Sequence, residues 1–171
     1  MLPTVDEDFL DDLETMRTEL VSDISDLIDS IEDSEENVNY ITNFIEYFSE
    51  DLEEKHYEDV KSYALGVHYL LAKQAERDEQ SLPNISEDIV DDVKQRIKKI
   101  GYDNYTTIMQ NMILREENHV VENYIEDHLP QHLHEYDGVC KSIAYGIFDI
   151  LDRSQQENIN PGPDMAGQSP L

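Results

Sequence analysis

Apolar residues recur along this chain at steps of three and four. Phe9, Leu13, Met16, Leu20, Ile24, Leu27 and Ile31 form a heptad seam with one four-residue stutter. Thr4 followed three residues later by Glu7 is a capping-box pattern. Together they predict a first helix over about residues 5–34. Val38, Ile41, Ile45, Phe48 and Leu52 continue the pattern into a second helix. Its period carries on, straight or kinked, through Val60, Ala64, Val67, Leu71 and Ala75.

Residues 78–86 lose the period and read as a loop, with Asn84 and Glu87 spaced to cap the next helix. That helix carries Ile89, Val93, Ile97 and Ile100. Its acids come first and its bases (Lys94, Arg96, Lys98, Lys99) last, which suits the helix dipole at both ends. Gly101 marks its stop, and Asp103 is placed to cap a following helix that carries Tyr105, Ile108, Met109, Met112, Ile113, Val120, Tyr124 and Ile125 and ends or kinks at Pro130. A last helix over about 131–153 carries Val139, Ile143, Ile147, Ile150 and Leu151. From Ser154 the period vanishes, and Pro, Gly and Ser take over.

The expectation is therefore an all-α fold: a helical bundle of five or six helices with long N-terminal amphipathic helices and a disordered C-terminal tail. Residues 1–153 form one domain and 154–171 the flexible tail. Four of the six Pro lie near the two ends, so the interior is nearly free of helix breakers. The long seam of the first two helices also suits a coiled-coil homodimer, opposed by like charges at its flanks.

Charge changes the picture most. The net charge is −28. The first 59 residues hold 21 acids against two bases, Arg17 and Lys55, a net of −19. Twelve carboxylates fall within residues 5–34. Thirty helical residues span roughly 45 Å, so the negative charges follow one another about every 3.8 Å along the axis. Phosphates along one DNA strand are spaced about 3.4 Å apart. Asp11, Asp12, Glu19, Asp23, Asp26, Asp29 and Asp33 are the candidate partner-binding residues, several of them off the apolar seam. The expected function is a non-enzymatic acidic helical protein that binds a basic protein surface. Its most specific form is a DNA-mimic inhibitor of a nucleic-acid-binding protein, such as a host-defence nuclease or a repressor, encoded by a virus or mobile element. The bland alternatives are a solvated helix face and salt adaptation of a structural or oligomerising helical protein; uneven charge and only five Ala speak against the second.

Other chemistry is thin. Glu53-x-x-His56 and Glu116-x-x-His119 are the pairs a ferritin-like metal bundle uses, but two such pairs among twenty Glu and six His are near chance, and Ser49 to Asp59 is very polar. No metal site and no cofactor are expected. His128, His132 and His134 flank Pro130 and read as an exposed or satisfied cluster, with a pH-sensitive patch as the alternative. Cys140 is a lone cysteine on the apolar stripe of the last helix, expected to be a buried inert thiol. No nucleophile elbow or phosphate loop appears, so no catalytic residue is assigned. An acidic surface is repelled by nucleic acid and by anionic lipid, and no apolar run is long enough to span a bilayer. The N-terminus lacks a basic start and an apolar stretch, and the expected compartment is the cytoplasm. Ten Tyr and no Trp give area with polar tips, useful at an interface or in a half-buried core.

Overall fold

A computed structural model describes residues 2–19 and 35–159. Among them the chain is all-helical, with no strand. It forms α1 (Glu7–Glu19), α2 (Glu35–Ser49), α3 (Tyr57–Arg77), α4 (Glu87–Ile100), α5 (Tyr102–Arg115), α6 (His119–Asp127) and α7 (Asp137–Ile159). Short 3-10 turns at Glu54–His56 and Gln131–Tyr136 lead into α3 and α7.

The two longest helices, α3 and α7, are the central pair around which the others pack. Both are apolar on nearly every side, which is the mark of a buried helix. From Val60 to Ala75 every residue of α3 except Lys61 and Lys73 is buried. From Ser142 to Asp152 every residue of α7 is buried. The remaining helices each bury one face. On α2 this face is Val38, Ile41, Phe44, Ile45 and Phe48, none more than 4% exposed.

Glycine sets two close approaches in this pair. A methyl on Gly66 of α3 would overlap the Tyr124 ring, and one on Gly146 of α7 would overlap the Phe44 ring. Tyr124 is fixed there because its hydroxyl donates to Tyr63 O at 2.7 Å and its ring stacks on Tyr63 with centroids 5.7 Å apart. The Tyr63 hydroxyl donates in turn to Ile125 O. These bonds answer the polar tips of buried tyrosines, which would otherwise be costly.

Seven helices among the described residues replace the expected five or six because two expected helices are each divided. The second is broken at residues 50–56, so α2 and α3 are separate. The one expected from Asp103 to Pro130 is broken at Glu116–Asn118. There Asn118 N donates to Ile113 O at 3.1 Å and Glu117 takes a φ of 60°, a Schellman ending with glutamate in the left-handed position. α3 ends the same way, with Glu79 at φ 57° and Gln80 N donating to Ala75 O at 2.8 Å. Pro130 does interrupt the chain as expected, and α6 stops at Asp127.

Caps also differ from expectation. Ser86, not Asn84, caps α4 by accepting from Ile89 N at 3.4 Å. The backbone before Ser86 is held by Asn37, whose side chain donates to Pro83 O and accepts from Ile85 N at 2.9 and 3.0 Å. Gly101, at φ 89°, ends α4 and begins α5 in one residue, so Asp103 lies inside the first turn instead of before it. At the other end α7 continues to Ile159, past the expected limit of 153, with Ser154 buried and its hydroxyl donating to Ile150 O at 2.7 Å.

Candidate partner-binding surface

The N-terminal segment is positioned by buried apolar side chains and by two amides. Leu2, Val5, Phe9 and Leu13 are buried. Asn118, 1% exposed, accepts from Val5 N at 3.1 Å and donates to Pro3 O at 2.8 Å. Gln74 accepts from Asp6 N at 2.9 Å. Arg77 pairs with Asp6 at 2.8 Å and lies over the Phe9 ring, 4.1 Å from its centroid. With Phe9 and Leu13 turned inward, Glu7, Asp8, Asp11 and Asp12 are exposed. They form two i, i+4 rows, Glu7 with Asp11 and Asp8 with Asp12, each with a rise of about 6 Å.

Of the seven expected contact residues, Asp11 and Asp12 are thus exposed on α1, and Glu19 is its last helical residue. Asp23, Asp26, Asp29 and Asp33 lie outside the described residues. The field of the face reaches inward: burial first, then the carboxylates of Asp12 and Glu76, push the Tyr69 hydroxyl above its ordinary value. A second exposed acidic group, Glu46, Glu50, Asp51, Glu53, Glu54 and Glu58, surrounds the α2–α3 turn.

Most of the cations are spent inside the chain. Among the described residues seven Lys and Arg form ion pairs with carboxylates of the same chain: Lys55, Lys73, Arg77, Lys94, Arg96, Lys141 and Arg153. In the Lys94–Lys99 cluster, Arg96 reaches Asp149 while Lys94 and Lys98 flank the Tyr47 ring. Beside the α1 face, Arg77 pairs with Asp6.

The histidines around Pro130 are separated. His132 pairs with Asp59 at 2.7 Å and faces His56 with ring centroids 5.6 Å apart. His128 instead stacks on Tyr124, and His134 is exposed. His56 also meets Glu53 at 3.6 Å. Glu116 has different surroundings: burial, and then the Asp152 carboxylate, raise its pKa. Among the described residues no group of three or more His, Cys, Asp or Glu is arranged to hold a metal ion. Cys140 is fully buried, and burial pushes its thiol up to about 12.

Two buried polar networks were missed by the sequence reading. Asp149, 2% exposed, accepts from the Tyr105 hydroxyl and from Arg153 Nε, both at 2.9 Å, with Arg96 at 3.6 Å. Glu122, 5% exposed, is joined to Tyr145 Oη at 2.5 Å and to Gln110 Nε2 at 2.9 Å. Tyr145 Oη also meets Glu126 Oε2 at 2.6 Å, and Glu126 pairs with Lys141 at 3.1 Å. The available signal was an acid inside an apolar run: Asp149 sits between Phe148 and Ile150, and Glu122 follows Val120 and Val121. Both networks tie α7 to its neighbours, with the acids Asp149 and Glu122 buried and the cations Arg96, Arg153 and Lys141 reaching toward the surface.

No helix among the described residues is long and apolar enough to cross a membrane. No protein-family description, curated protein or solved structure matches the chain.

Proposed function

We propose that this is a non-enzymatic acidic helical protein that binds a basic protein surface. Its most specific form is a DNA-mimic inhibitor of a nucleic-acid-binding protein. One observation carries the reading: α1 buries Phe9 and Leu13 and leaves Glu7, Asp8, Asp11 and Asp12 exposed along its outer side. A helix so oriented presents carboxylates at fixed spacing, and a basic groove gains by releasing its own counterions when it meets them. The remaining contact residues, Glu19, Asp23, Asp26, Asp29 and Asp33, extend the same array along the sequence.

The test is capture from a lysate at low salt with elution by rising salt, followed by competition with duplex DNA. Neutralising Asp11, Asp12, Glu19 and Asp23 together to Asn or Gln should weaken binding of the captured partner by well over tenfold, at roughly 1 kcal/mol or more per desolvated charge. Full affinity in that variant, or no competition by DNA, sinks the mimic reading. Salt adaptation of a structural helical protein predicts instead that salt raises stability and that no partner is captured. A ferritin-like metal bundle predicts stoichiometric iron, manganese or zinc on elemental analysis.

A further inference from the structure

The α5 helix stands apart from the rest of this acidic surface. It carries charge only near its ends, at Asp103 and Arg115, and residues 104–114 have none, in a chain of net charge −28. Tyr105, Met109 and Ile113 are its buried face. The outward stripe is Asn104, Thr107, Ile108, Asn111, Leu114 and Arg115, all exposed. Ile108 at 41% and Leu114 at 37% are two of the three large hydrophobic residues exposed among those described. Among the described residues the other apolar seams are occupied: Phe9, Leu13 and the α2 face from Val38 to Phe48 are buried inside one chain.

At the N-terminal end of α5 lies a cleft of about 470 Å³. Asp103 and Asn104 of α5, Tyr102, and Glu135 and Tyr136 of the 3-10 turn are among its lining residues. Tyr102 is held in place by donating to Asp51 Oδ2 at 2.7 Å. Two carboxylates and two phenol rings around one opening suit a planar guanidinium, which takes hydrogen bonds at its edge and aromatic contact on its face. At the other end of the same helix Arg115 is exposed and belongs to none of the ion pairs found among the described residues.

We propose that two copies of this chain pair α5 against α5 in antiparallel fashion, with Arg115 of each entering the Asp103–Glu135 cleft of the other. The two ends are twelve residues apart, about 18 Å along the axis. A two-fold antiparallel contact brings each cleft to the partner's Arg115, whereas a parallel one sets like charge on like. The stripe is self-complementary about its midpoint: Asn104 meets the partner's Leu114, Thr107 meets the partner's Asn111, and the two Ile108 side chains lie beside the axis. Such an interface is isologous, as two-fold contacts must be. One helix face falls short of the ~800 Å² per partner of a standard interface, so the dimer is weak. Its net repulsion, −28 against −28, is relieved by salt. The sign is opposite to that of binding through the acidic α1 face, so the two associations are separable in one protein.

The experiment is sedimentation equilibrium on the full chain across a salt series. The dimer fraction should rise with salt. Asp103→Arg and Arg115→Asp should each weaken dimerisation by about tenfold or more, because each places like charges at both ends of the contact. An equimolar mixture of the two variants should restore it, since in the mixed dimer every arginine again faces an aspartate. Ile108→Asp, with unchanged circular dichroism, should be monomeric. Wild type that stays monomeric at high concentration in all salts overturns the proposal. So does a mixture that fails to associate when both variants are folded, or single variants that dimerise as wild type does.

Discussion

Glu122→Gln tests whether a buried proton is built into the α6–α7 contact. Tyr145 Oη lies 2.5 Å from Glu122 Oε1 and 2.6 Å from Glu126 Oε2, yet a phenol has one proton to donate. Two carboxylates cannot both accept from it at these distances, so one of them brings a proton of its own. Glu126 is paired with Lys141 and is the natural anion. Glu122 is 5% exposed, and burial raises its pKa above the ordinary range, against the opposing pull of its bonds with Tyr145 and Gln110. The consistent arrangement has protonated Glu122 donating to Tyr145 Oη, Tyr145 donating to Glu126, and Gln110 Nε2 donating to the second Glu122 oxygen at 2.9 Å. Every atom is then satisfied.

A glutamine at position 122 keeps this pattern without a titrating group, because its amide donates to Tyr145 Oη and its carbonyl accepts from Gln110. The sign follows from linkage. A carboxyl with a raised folded pKa binds more protons folded than unfolded, so its contribution is whole at acid pH and falls as pH rises from the unfolded pKa toward the folded one. Within that window the wild type should lose about 1.4 kcal/mol per pH unit relative to Glu122→Gln. Urea unfolding of both proteins at several pH values from the ordinary carboxyl range upward measures the difference, and the repulsion common to both cancels. A difference that stays constant with pH means that Glu122 holds no extra proton, and the reasoning fails.

His68 provides the opposite slope: it is fully buried on α3, neither ring nitrogen has a hydrogen-bond partner among the described residues, and burial lowers its pKa to about 4. As pH falls from about 6.5 to about 4 the unfolded chain takes up a proton that the folded one refuses, a loss of roughly 3 kcal/mol, and His68→Leu should abolish that loss in acid unfolding curves. Glu117→Gly should raise the urea midpoint, worth about 0.5–1 kcal/mol, because glycine fits the left-handed ending of α5 that glutamate adopts at φ 60°. An unchanged or lower midpoint would show that the Glu117 conformation carries no strain.

The sequence reading recovered what periodicity controls and missed what unpunctuated chain endings control. Phe9, Leu13, Ile41, Ile45, Val93, Ile97, Ile143 and Ile147 were placed on apolar stripes and are buried, whereas Ile108, placed on one too, is 41% exposed because Tyr105, Met109 and Ile113 turn the buried face of α5 away from it. Gly101 and Pro130 were legible because one supplies φ 89° and the other interrupts helical hydrogen bonding. The end of α3 was legible from the loss of period at residue 78, but the end of α5 was not, because Glu117 holds the left-handed position where glycine is the usual signal. The break at residues 116–118 is explained by what Asn118 does at a distance, holding Val5 N and Pro3 O more than a hundred residues away. No local window contains that information.

The same limit applies to the candidate surface. Helical periodicity assigned the exposure of Asp11 and Asp12, and the packing of α1 agrees, because Phe9 and Leu13 fix which way the helix faces. The fate of the cations could not be read that way. Lys94, Arg96, Lys98 and Lys99 look like one basic cluster in sequence, yet the fold sends Arg96 to Asp149 and Lys94 and Lys98 to Tyr47. Only with those pairings known does the net charge become a statement about surfaces. At the α1 face Arg77 is paired with Asp6, while Asp11 and Asp12 stay exposed. The α5 face instead carries an uncharged stripe with one charge of each sign near its ends. On the reading proposed above, the first face suits a partner of opposite charge, and the second is where another copy of so acidic a chain can approach.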